Sequence, residues 1–561
     1  MTEWLHAEWR RVSRPFWLLA GVHALALLVL ARFTNPLLWP APLLLGLGGL
    51  YLVAGMALAA WQWHYWVPPA RWITLLHQPL SPWRCARPLV TAAALLLVLA
   101  LALPIAAALP VLAAFGHTVS PFHLGYAALA LLFGLSGYFS GMAALLGRGW
   151  GRWLALPLGP LLWLALGAQP LPQLLSLGLL GNLLLAAWAL GRVRPDLTRP
   201  PALGLELPLL LIPASWLTGA ALQLLGQGAL LLADRHPALH PGGPAHFEHW
   251  RSAESVELLA ALWPAGGVAG WAEAPTESPL LRQLYPGQRL PERLSPGSEG
   301  LAQFTLPDTL LRAHYAADRQ LYRLSDARRQ AQGWLGLGCP TAQADAARPL
   351  GPEVPLPIQG GLLSGGALWV WRGNCLHPLL HGTEGGRLFA AQADADGWMA
   401  LSTDGLLHTS QLHWSWPRPL DTVQTLLVWR QPDHARWLLL LLEGSFQQPA
   451  HHRLSLWILE PHKAADLLAE RLLKPDFPQA LTWSDTWPTP LRGLLAGWFD
   501  SRRPAPGAAV WGLLLSSSLV ACLGSALLSR RRACTSGTWP WMLAALAAGP
   551  PLLTVQHALQ R

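Results

Sequence analysis

The chain has 561 residues, of which 52% are hydrophobic and 12% charged, where soluble proteins carry roughly 25% charged residues. Its formal charge of +9 is unevenly spread: residues 234–506 hold 26 acids against 23 basic residues, and the rest of the chain holds 4 acids against 16 arginines. The positive charge therefore belongs to short segments between apolar runs, which argues against nucleic-acid binding through a basic folded patch.

Residues 1–15 read as a short amphipathic helix with Trp4, Leu5, Trp9 and Val12 on one face and Arg10, Arg11 and Arg14 opposite. Such a helix lies in a membrane interface. No small-x-small cleavage site follows the next apolar run, so it is not read as a signal peptide. Nine apolar runs then come near the roughly 20 residues that span a bilayer: 16–33, 41–62, 88–114, 121–146, 153–168, 171–191, 205–233, 507–528 and 538–557. Pro157 and Pro160 lie in the short fifth run, and Pro550-Pro551 interrupts the ninth. With the N-terminus in the cytoplasm, 14 of the 16 arginines outside 234–506 fall in cytoplasmic loops, all but Arg32 and Arg561. That bias sets the expected orientation. The polar residues inside the runs are His23, Asn182, Gln223 and Gln227, with Glu206 at a span mouth. Hydrogen bonding between helices is their expected role, and facing a substrate is the alternative.

Between the second and third runs stands Thr74-Leu75-Leu76-His77-Gln78-Pro79-Leu80-Ser81-Pro82-Trp83-Arg84, preceded by Arg71-Trp72 and followed by Arg87. Trp72, Leu75 and Leu76 fall at i, i+3 and i+4, an apolar stripe on a short helix, and Pro79 ends that helix. This segment resembles the cytoplasmic loop after the second membrane helix of ABC-2 type transport permeases, and residues 1–15 resemble the elbow helix that opens them. The resemblance covers roughly residues 1–200. It departs from the family before Thr74, where Pro68-Pro69-Ala70-Arg71 replaces the usual acids. It implies export driven by a separate ATPase chain and a second permease copy or half. It also implies contact with that ATPase through Arg71, Trp72, Leu75, Leu76, Pro79, Leu80, Ser81 and Arg84. A basic turn between two helices is the plainer alternative.

The seventh run should emerge near Asp234, leaving 234–506 as a large exoplasmic domain. Residues 234–249 read as a His- and Pro-rich linker and 250–263 as a helix. From about 301, short apolar runs bounded by Gly and Asp predict strands. Four units recur, at 318–324, 366–371, 404–409 and 453–459, and their leucines at 321, 368, 406 and 454 lie 38 to 48 residues apart. That spacing suits the blades of a propeller, and an irregular β-sandwich also fits. Residues 464–473, Ala-Ala-Asp-Leu-Leu-Ala-Glu-Arg-Leu-Leu, read as a helix.

The expected fold is thus a membrane α-helical bundle of about nine spans with an exoplasmic, β-rich, propeller-like domain. Its parts are 1–233, the permease-like domain; 234–506, the β domain; and 507–561, the C-terminal spans. The expected location is a bacterial plasma membrane, in contact with lipid.

Neither Lys463 nor Lys474 stands in the Gly-x-x-x-x-Gly-Lys-Ser/Thr setting of an ATP site. No Ser-x-x-Lys or Gly-x-Ser-x-Gly motif occurs. His236, His240, His246 and His249 are interrupted by prolines, which suits a linker better than a metal site. No catalytic residue, cofactor or metal is therefore expected in this chain. Cys339 and Cys375 share the exoplasmic domain, where a disulfide could persist. The rival function is a membrane-anchored binding or assembly protein in which the β domain does the work.

Overall fold

Local periodicity accounts for the main division of the chain: long apolar runs form helices, and residues 281–472 form strands. The computed structural model describes the chain apart from residues 1, 67–81, 148–150, 167–168, 194–202, 285–302, 431–435, 445–451, 482–507, 532–538 and 561, with further short interruptions between 238 and 480.

Helix α1 (Thr2–Phe33) bends by 50° between Leu5–Arg14 and Phe16–Leu30. Pro15 stands between the two parts, and a proline inside a helix removes one backbone hydrogen bond and favours a kink. Then come α2 (Ala41–Trp66) and α3 (Pro82–Leu97). A π turn at Val98–Ala102 joins α3 to α4 (Leu103–Ala114), just before Pro104. The series continues with α5 (Leu124–Leu146), α6 (Gly151–Ala155), α7 (Leu158–Leu166), α8 (Leu171–Gly191) and α9 (Leu203–Leu232).

Among the described residues five helices are long and apolar enough to cross a membrane, or six with the bent α1. Of the remaining expected runs, 507–528 falls on the helix Ala508–Arg531, whose apolar stretch Gly512–Leu528 is shorter than a span, and the other two are broken at prolines. Pro157 separates α6 from α7. The last run divides at Gly549-Pro550 into two ten-residue helices.

Helices α2 and α5 touch backbone to backbone. A Cβ on Gly137 would lie 1.9 Å from the Leu52 carbonyl oxygen, and one on Gly55 1.9 Å from that of Gly134. Small residues let membrane helices approach this closely. Asn182 of α8 is buried and donates to the Leu132 and Gly178 carbonyls, while Ser136 donates to Asn182 Oδ1. His23 bridges Tyr51 Oη and the Ala100 carbonyl. Both residues thus link helices.

Among the described residues the β-rich part contains four antiparallel sheets. The first has strands β2 (Gln303–Thr305), β3 (Arg312–Ala316), β4 (Leu321–Ser325) and β5 (Ala331–Leu335). The second holds β6 to β9 (356–381) and the third β10 to β13 (388–415). The fourth is β14 to β17 (423–472), with β1 (Leu281–Leu284) added beside β14. The four recurrent units of the sequence coincide with β4, β8, β12 and β16, the third strand of each meander.

Successive sheets pack face to face. Tyr315, Tyr322 and Leu335 of the first meet Leu362, Trp369 and Leu376 of the second. Leu363 and Leu368 meet Leu388, Ala400 and Leu407 of the third. Met399, Leu401 and Trp414 meet Leu426, Leu439 and Leu441 of the fourth. Cys339 and Cys375 form a disulfide that links the segment after β5 to the start of β9.

Strand β15 (Trp437–Glu443) is buried along its whole length. Its odd-numbered leucines, 439 and 441, face the third sheet. Leu438, Leu440 and Leu442 face Phe247, Trp250, Leu258 and Leu259. The period-2 alternation of a strand thus divides one leucine run between two cores.

Two local expectations are corrected. Residues 250–263 form no single helix: α10 (Phe247–Ser252) and α11 (Ser255–Ala260) are separated at Ala253, whose backbone is extended. Residues 464–473 are not helical either. Asp466–Leu472 is β17, paired antiparallel with β16, because tertiary pairing overrides the small helix preference of Ala, Leu, Glu and Arg.

Candidate functional site

The segment expected to contact an ATPase falls largely in 67–81, so Arg71, Trp72, Leu75, Leu76, Pro79, Leu80 and Ser81 lie outside the described residues. Arg84 is described; it is exposed on the first turn of α3. The flanks of the segment can be followed. Gln62, Trp63 and Trp66 precede it on α2, and Leu89 follows it on α3. One buried polar network holds them. Gln62 donates to the Leu89 carbonyl at 3.0 Å and accepts from Tyr138 Oη at 2.7 Å. Trp63 donates to Tyr138 Oη at 3.0 Å.

The amphipathic part of α1 joins this network through Glu8, only 5% exposed. Glu8 accepts from Trp66 Nε1 at 3.0 Å and from Arg11 at 2.7 Å. Arg11 also donates to the Gln62 carbonyl at 3.2 Å and lies over the Tyr65 ring, 4.3 Å from its centroid. A buried carboxylate is tolerated only when paired and hydrogen-bonded, and here both conditions hold. Sequence reasoning missed Glu8 and Gln62. The available signal was the Glu8–Arg11 spacing of three on a helix.

The opposite end of the bundle is built differently. An apolar cavity of about 90 Å³ lies between α1, α2, α4 and α5, lined by Leu37, Tyr51, Leu109, Leu112, Tyr126 and Phe133 among others. The connection 115–123, from α4 to α5, caps this end. Val119 packs with Leu37, Leu109 and Leu112, and the His117 amide donates to the Leu112 carbonyl at 3.1 Å.

The first sheet meets the same connection. Phe122 packs on its apolar core. Arg323 donates to the His117 carbonyl at 3.4 Å, and Arg329 lies 3.0 Å from His117 Nε2. A guanidinium can only donate, so Nε2 is the acceptor and His117 is the neutral Nδ1–H tautomer. Across the strand pair His314 stands directly opposite Arg323. Burial, then His117, Arg312, Arg323 and Arg329, push the His314 imidazole down to about 4.

Comparison with family models, curated proteins and solved structures returned no match.

Other expected clusters disperse. His236 packs edge-on against Phe477, His246 lies 3.7 Å from Asp476, and His249 packs edge-on against Trp250. Among the described residues no three His, Cys, Asp or Glu side chains converge to hold a metal.

Proposed function

We propose that this chain is the membrane subunit of an ABC-2-like transporter. It would export a substrate with energy supplied by a separate ATPase chain, in a bacterial plasma membrane, with its N-terminus in the cytoplasm and 234–506 outside. The observation that carries this reading is the network around Gln62. It ties both flanks of 67–81 to each other, to the amphipathic N-terminal helix and to the buried Tyr138 of α5. A segment that receives force from an ATPase needs a stiff base from which movement passes into the bundle, and a mere turn does not.

We read the four meanders as propeller-like, with β1 serving as the strand that brings the start of the domain to its last sheet. Helices α10 and α11 cover the face of the fourth sheet where a neighbouring blade would pack in a closed ring, so the reading is of an open, blade-like stack. With the short and broken runs crossing beside the long apolar helices, the membrane part has about nine segments.

The test is a purification of the chain in mild detergent followed by identification of its partners. An ATPase should co-purify, and Leu75→Asp with Leu76→Asp should abolish coupled ATP hydrolysis while membrane insertion persists. Placing unpaired carboxylates in an apolar contact costs several kcal/mol, about the size of a micromolar binding energy. Full coupling in the variant would remove the transport reading and favour the alternative, a membrane-anchored protein whose β domain binds a partner.

A further inference from the structure

The face that the first sheet turns toward the connection 115–123 carries an unusual run of positive charge. Strand alternation places Arg312 and His314 together on β3, and the register sets His314 against Arg323 on β4. Arg329 follows in the next turn, in the left-handed region at φ 63°. Arg312 and Arg329 are exposed, while His314 and Arg323 are half-buried. Among the described residues none of these three arginines forms an ion pair with a carboxylate, although other arginines of the β-rich part, such as Arg387, Arg418 and Arg430, do. Three arginines gathered on one face without a carboxylate repel one another, so the arrangement calls for an anion.

Its place in the fold says what kind of anion. The connection 115–123 joins two helices long and apolar enough to cross a membrane, Ala86–Ala114 and Pro121–Leu146. A group that sits on that connection lies at headgroup depth if those helices span. The same connection caps the apolar cavity, since Leu112 both lines the cavity and accepts the His117 amide. Cationic groups above an apolar recess match an amphiphile: acidic at one end and hydrocarbon at the other.

We propose that Arg312, His314, Arg323 and Arg329, together with the connection at His117, form a binding site for the phosphate of an anionic lipid headgroup, with its acyl chain against the cavity beneath. This goes beyond the transport reading and does not depend on it. Arg323 and Arg329 would each donate to phosphate oxygens while keeping the β domain on the connection, and Arg312 would close the outer side.

The full chain would be purified into nanodiscs of phosphatidylcholine containing a minor share of phosphatidylglycerol, and the lipid retained on detergent extraction identified by native mass spectrometry. The wild type should retain phosphatidylglycerol over phosphatidylcholine, and Arg312→Gln and Arg323→Gln should each weaken retention about tenfold, the scale of one charge-assisted hydrogen bond. Arg312→Gln is the decisive variant, because Arg312 is exposed and makes no hydrogen bond to the connection; it tests the site even if Arg323→Gln or Arg329→Gln releases the domain. Equal retention of both lipids, or unchanged retention in Arg312→Gln and Arg323→Gln together, overturns the proposal. A parallel titration with inorganic phosphate separates the sources: phosphate binding without phosphatidylglycerol retention would also overturn the lipid assignment.

Discussion

His314 shows how a single residue reports on its surroundings. Burial, and then the neighbouring His117, Arg312, Arg323 and Arg329, lower its imidazole from 6.5 to about 4. In the unfolded chain it would take up a proton near pH 6.5, whereas in the folded chain it stays neutral down to about 4. The unfolded state therefore binds more protons between these values, so stability is full above 6.5 and is lost as pH falls toward 4. Thermal unfolding followed from pH 7.5 to about 4.5, in zwitterionic detergent free of phosphate, should show that decline. His314→Gln should flatten it; an unchanged slope would assign the decline to other groups. At Glu470 burial and the neighbouring charges act against each other. Burial raises its carboxyl, but Arg418 and then Arg453 outweigh burial and hold it below the ordinary value. Its contribution is lost only at lower pH, as the carboxylate takes up a proton.

At the scale of elements, close packing and strand pairing decide what propensity does not. Strand β17 consists mostly of helix-forming residues, and helix propensities differ by only about 0.7 kcal/mol per residue among ordinary side chains. Leaving the β16 backbone unpaired along one side would cost more, at about 1–3 kcal/mol for each buried unsatisfied group. The charged Asp466, Glu470 and Arg471 suit an edge strand, where charge discourages further pairing. In the helical part the contact of α2 with α5 leaves no room for a methyl group at Gly137. Gly137→Ala should destabilise the helical part by about 1–3 kcal/mol, the usual cost of overpacking. Gly46→Ala, with nothing within 4 Å of its Cβ position, is the control and should change little. Unfolding in mixed micelles of increasing SDS content would measure both.

The whole molecule is organised as a stack that begins on the connection 115–123. It runs through four sheets and ends on α10 and α11. The first sheet touches the connection directly, so the β domain and the α4–α5 connection must lie on the same side of any membrane that the helices cross. This gives a test of orientation with an internal control. Leu310→Cys, 88% exposed at the β2–β3 turn, and Phe115→Cys on the connection should both react with an impermeant maleimide added outside intact cells. The background would lack Cys85, Cys522 and Cys534 and keep the Cys339–Cys375 disulfide. Labelling of the two positions from opposite sides would break the stack, and labelling of both only from the cytoplasm would invert the orientation read from the arginines.

Much of this architecture was legible in the chain because its signals are local. Apolar runs near bilayer length marked the long helices. Recurrence at 38 to 48 residues marked one strand in each of four sheets, since each meander repeats the same order of strands and turns. What could not be read locally depends on partners distant in sequence. The helix-like composition of 464–473 concealed a strand because its partner, β16, decides its backbone. The pairing of Cys339 with Cys375 follows from the packing of two sheets, which a spacing of 36 residues does not reveal. Glu8 reads as the solvated side of an interfacial helix until Trp66, 58 positions away, is brought against it. Periodicity assigns a residue to an element and a face; only tertiary packing decides which other face will meet it and whether its charge is paired.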